Sequence, residues 1–130
     1  MQEVSVQQVS PLSAVSNAMV KLHKEQFGRG PTKVRADFAG PDTLVCVLSD
    51  LLLPAERKLV AMGHQERVID TRTSFQYATR PEFIAAIEQI VQRKVTAFAS
   101  GIDPDNDTAY EIFSLESRGY DDDSSHIAGA

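Results

Sequence analysis

What this sequence lacks excludes more than its motifs admit. A single cysteine, Cys46, rules out an internal disulfide. It sits in the apolar run TLVCVL and reads as a buried small hydrophobe, because a reactive thiol needs exposure and nearby positive charge. No apolar run approaches the ~20 residues that a membrane-spanning helix requires, so no direct membrane insertion is expected. The opening MQEVSVQQVS lacks the basic stretch and apolar run of a signal peptide, and the expected location is the cytoplasm. Basic residues are in deficit: 13 Lys and Arg stand against 18 Asp and Glu, a net charge of -5. Neutralising phosphates needs a basic face, and so does adsorption to an anionic membrane. Aromatic residues interleaved with basic ones are also missing, which disfavours nucleic acid as a partner.

What is present suits one small domain. A chain of 130 residues buries enough surface to fold without a metal or cofactor, and none is expected. The boundaries read as a flexible stretch 1–10, a single α+β domain 11–116, and an acidic, disordered tail 117–130. SPLSAVSNAMVKLHKEQF reads as a helix, with Ser10 as cap and Pro11 at the first position. Leu12, Val15, Met19 and Leu22 recur at helical spacing, and Gly28 follows where a C-cap belongs. TKVRADF alternates apolar and polar residues as a half-buried strand does, AGPD marks a turn, and TLVCVLS is a second, more apolar strand. LPAERKLVAMGHQERVIDTRTSFQYA is helical, and Pro81 divides it from PEFIAAIEQIVQRK. VTAFAS and AYEIFSL form a last hairpin around GIDPDNDT. The expected fold is one four-stranded antiparallel sheet made of two hairpins, with about three helices on one face.

The corner FGRGPTKVR gathers special residues. A phosphate loop runs strand, glycines, helix; here the order is helix, glycines, strand, and a helix C-terminus repels anions. Gly28, Gly30 and Pro31 therefore read first as a structural corner. Arg29, Lys33 and Arg35 remain as candidate contacts for an anion or an acidic partner, Lys33 and Arg35 on one strand face. Asp103, Asp105 and Asp107 resemble the start of a calcium loop, but Thr108 and Ser114 occupy the positions that need Gly and Glu, so no metal site is assigned. His23 and His64 fall on polar helix faces and His126 in the tail, with no partners at recognisable spacing, so no catalytic residue is assigned. Glu111 and Glu116 read as strand-end solvation. Arg72 shares a spacing of three with Ile69 and Phe75 and lies at or beside a buried stripe. It either pairs, with Asp37, Asp70 or Glu88 as candidates, or carries its head to water.

NAMVKLHKEQFGRGPTKVRADF, LLLPAERKLV, VIDTRTSFQ, EFIAAIEQIVQRKVTAF and DPDNDTAYEIFSLE together resemble a bacterial family. That family was first catalogued as a domain of unknown function and is now labelled the C component of a sodium-translocating, membrane-potential-generating system. The resemblance covers about residues 14 to 116. It implies a non-enzymatic accessory or regulatory protein whose partner is a protein, such as a membrane ion- or bicarbonate-translocating complex. It also implies a homo-oligomer, since some relatives carry the domain twice. Alternatives are a small RNA-associated α+β factor and an enzyme with a site assembled from distant residues.

Overall fold

The computed structural model describes residues 10–118. Apart from Ser10, Ser117 and Arg118, the expected flexible stretch and acidic tail lie outside the described residues. Ser10 starts α1 (Pro11–Phe27) by accepting a hydrogen bond from the Ser13 N–H at 3.1 Å. Gly28 ends it at φ 80°, donating its N–H to the Lys24 carbonyl. The first hairpin follows, β1 (Lys33–Phe38) and β2 (Thr43–Ser49). Three helices come next: α2 (Pro54–Ala61), α3 (Gln65–Ala78) and α4 (Arg80–Val91). The long helical segment thus breaks at Gly63, φ 84°, as well as ahead of Pro81, which occupies the first turn of α4. The chain closes with β3 (Val95–Asp103), a short 3-10 turn at Pro104–Asn106, and β4 (Thr108–Leu115).

The strand order is β1-β2-β4-β3, with every pair antiparallel. The two hairpins therefore join through their inner strands, and the fold is α+β with a single open sheet. Leu44, Cys46 and Leu48 of β2 alternate inward and meet Phe98 and Phe113 from the second hairpin. Val15 and Met19 of α1 and Phe83 and Ile87 of α4 complete that core. These two helices are the apolar half of the helical layer.

Helix α3 is different. Its buried line is Val68, Arg72 and Gln76, at helical i, i+4, i+8 spacing. The expected stripe through Ile69 and Phe75 is corrected here, because Phe75 is 45% exposed. A helix with so few apolar residues docks on the sheet through polar ones, and those need partners. The opposite sheet face is open. Register aligns Arg35 with Val47 and Tyr110, and Asp37 with Val45 and Ile112. Tyr110 and Ile112 are 43% and 37% exposed there. Among the described residues no helix is long and apolar enough to cross a membrane.

Candidate functional site

The glycine corner is built for close packing. A Cβ on Gly30 would stand 2.8 Å from the Val20 carbonyl oxygen, so only glycine lets β1 turn in against α1. Pro31 is buried behind it. Arg29 donates from Nη1 to the Leu52 carbonyl at 2.9 Å and pairs through Nη2 with Asp50 at 3.1 Å. Asp50 also accepts from Thr32 Oγ1 at 2.8 Å and pairs with Arg57. The hydrogen bond from Thr32, then that from Arg29, holds the Asp50 carboxyl down at about 2. Arg57 reaches on to Asp107 at 3.1 Å, and Asp107 Oδ1 accepts the backbone N–H groups of Leu51 and Leu52 at 2.8 and 2.9 Å. Lys33 and Arg35 do not enter this network; both are exposed on β1, where Arg35 lies 3.4 Å from Asp37.

The three aspartates of the last loop turn to separate partners. Asp103 accepts from Asn106, Asp105 accepts from Gln65, and Asp107 is committed to the corner. Among the described residues no three His, Cys, Asp or Glu side chains form a group able to hold a metal ion.

Arg72 is 4% exposed and forms a two-pronged pair with Glu56, Nε to Oε2 at 2.8 Å and Nη2 to Oε1 at 2.5 Å. Its partner is therefore none of Asp37, Asp70 and Glu88. Glu56 Oε1 also accepts the Leu53 N–H at 2.8 Å, which satisfies a free donor at the start of α2. The guanidinium stacks over the Phe27 ring at 3.8 Å, and Phe27 meets Phe75 edge-on. This one carboxylate ties α2 to α3, and Arg72 ties both to the end of α1.

A cavity of about 50 Å³ lies beside this pair, between α1, α3, β3 and β4; its polar lining includes His23, Arg72, Gln76, Ser100 and Glu111. Glu111 is 1% exposed, which overturns its expected role in strand-end solvation. Its side chain points with Ala109, Phe113 and Leu115 to the core face of β4. His23 is 2% exposed and so is not on a polar helix face. Its Nδ1–H donates to the Met19 carbonyl at 2.8 Å, and its Nε2 stands 3.4 Å from Glu111 Oε2. Because a carbonyl only accepts, Nδ1 carries the proton of that bond, and Nε2 is the nitrogen that faces the carboxylate. Gln76 donates from Nε2 to Glu111 Oε2 at 2.5 Å and to Ser100 Oγ at 2.8 Å. On the residues lining this cavity, Glu111 Oε1 and Gln76 Oε1 have no hydrogen-bond partner among the described residues.

Cys46 is paired with Glu111 across the sheet. Burial, and then the Glu111 charge, pushes its thiol up to about 12, so it is neutral and unreactive. The cavity has room for a few waters or a small ion and is far below the several hundred cubic ångströms of an organic ligand site. The period-2 pattern of AYEIFSL already placed Glu111 on the apolar face. The i+4 step from Met19 placed His23 on the buried line of α1.

A family described as the Na+-translocating membrane potential-generating system (MpsC) matches residues 9–117. The chain belongs to this family. No curated protein and no solved structure matches it.

Proposed function

We propose that this protein is a non-enzymatic accessory or regulatory component that works by docking to a protein subunit of a membrane ion-translocating system. Membership of the MpsC family associates the chain with such a system. The observation that carries the reading is the open sheet face. Val45, Val47, Tyr110 and Ile112 form an apolar strip on it, and Lys33, Arg35 and Asp37 line the β1 side. Apolar centres with charged rims are the ordinary anatomy of protein interfaces. Arg29 is spent on Asp50 and Leu52, so Lys33 and Arg35 are the basic contacts offered to the partner. A second copy of the chain competes for the same strip, as the homo-oligomer reading requires.

The test compares Ile112→Asp and Arg35→Glu protein with wild type in co-purification from native membranes. Both substitutions lie on the exposed face and should leave the melting curve within a few degrees of wild type. Loss of the membrane-complex subunits from both variants is the expected result. Undiminished recovery from the folded variants contradicts the docking face, and a loss of self-association alone assigns the strip to a homodimer.

A further inference from the structure

We propose that the outer edge of β3 is the seat of a second copy of this chain, which adds its own β3 antiparallel and joins the two four-stranded sheets into one. The inference does not rest on the docking reading. The open-face strip is the rival seat for a second copy, and pairing at the edge leaves that strip to the membrane partner. An open sheet has two edges, and natural proteins guard them with charge, proline, bulges or shortness. β1 is guarded: it has six residues, and Lys33, Arg35 and Asp37 are among them. β3 is not. It runs for nine residues and carries no charge before Asp103. Its bulge, between Val95 and Ala97, lies ahead of the central stretch, and Pro104 comes after its end. Thr96, Ala97, Ala99, Ser100 and Gly101 are exposed, and their small side chains let another backbone come close.

The ladder selects the occupant. The Phe98 carbonyl accepts from Arg80 Nη1 at 2.9 Å, so it is turned away from β4. Antiparallel ladders alternate, so Phe98, Ser100 and Ile102 all turn their N–H and C=O groups outward, while Ala99 and Gly101 bond to β4. Read backwards about Ser100, this pattern maps onto itself. Phe98 meets the partner's Ile102, Ser100 meets the partner's Ser100, and each outward N–H finds an outward carbonyl. A two-fold interface requires that self-match, and an unrelated strand has no reason to supply it. No like charges come together, because the stretch carries none. Arg80 keeps its bond, since a carbonyl oxygen has two lone pairs. On the open face Ala99 lies opposite the partner's Gly101, and the joined sheet carries two copies of the apolar strip on one continuous surface.

Equilibrium sedimentation of the full chain tests this, with wild type expected to be a dimer in the high micromolar range. Ala99→Lys combined with Gly101→Lys sets like charges opposite each other on both sides of the axis and should weaken the dimer by about tenfold or more. Both positions have room, since Ala99 is exposed and a Cβ on Gly101 meets nothing within 4 Å. Ala99→Lys combined with Gly101→Glu sets opposite charges there instead and should restore the dimer. Should the lysine pair not fold, Ser100→Pro, which removes an outward N–H and leaves the β4 ladder intact, should give a folded monomer. A monomeric wild type overturns the proposal. So does a dimer that survives these edge substitutions; its loss in Ile112→Asp would then place it on the open face. Folded monomers from both charge combinations overturn the Ser100-centred pairing.

Discussion

Glu56 and Glu111 are the same residue type, buried on the same side of one sheet, and they are treated in opposite ways. Glu56 is 8% exposed and uses both oxygens, on Arg72 and on the Leu53 N–H. Glu111 is 1% exposed and uses one, leaving Oε1 without a partner beside a cavity. The corner around Glu56 continues the same economy: Asp50 and Asp107 also use both oxygens. The cavity around Glu111 does not. A buried carboxylate that is fully paired ties elements together, whereas one with an open oxygen is available to something else. Burial alone separates neither case; completeness of partners does.

The contrast sharpens under substitution. The largest effect is expected at Arg72. Replacing it by Met leaves the Glu56 charge buried and unpaired, at a cost of about 3–5 kcal/mol, read as a lower urea midpoint with unchanged slope. Gly30→Ala comes next, since its methyl group would meet the Val20 carbonyl at 2.8 Å. Overpacking of this kind costs about 1–3 kcal/mol, and a variant as stable as wild type would show that the corner can shift. Asp50 gives the smallest effect, because its side chain is 44% exposed. Its carboxyl is lowered from 3.8 to about 2 in the folded state, so its contribution is present above pH 4 and lost as pH falls toward 2. The Tm gap between wild type and Asp50→Asn should therefore be open at pH 6 and closed near pH 2. A gap that stays constant with pH would contradict the hydrogen-bonded role.

Much of this architecture was legible in local pattern. The Ser10 cap, the Gly28 terminus and both hairpins follow from spacing and turn chemistry that span a few residues. Arg72 was recognisable as a charge near a buried stripe. Its partner was not, because Glu56 lies 16 residues away on another helix and no local spacing links them. The break at Gly63 was missed, since the apolar pattern runs on either side of it. Glu111 was misread although its strand alternates plainly, because an acidic residue near a strand end is usually solvated. His23 was misread for a similar reason: it continues the line of Val15 and Met19 at i+8, but a histidine is more often solvated than an apolar residue at such a position. Long-range pairing decided these cases, and only the assembled sheet and helices bring the partners together.

The most direct test sets Glu56→Gln beside Glu111→Gln in urea unfolding under one buffer. Each change turns a carboxyl group into an amide and keeps the side-chain shape. Glu56→Gln is expected to lower stability by about 3 kcal/mol or more, because Arg72 is left buried without its counter-charge. Glu111→Gln is expected to lose less, about 1.5 kcal/mol or under, since the amide still accepts from Gln76 and only the 3.4 Å contact with His23 is altered. Equal, large losses from both would contradict the account, making Glu111 a structural carboxylate like Glu56.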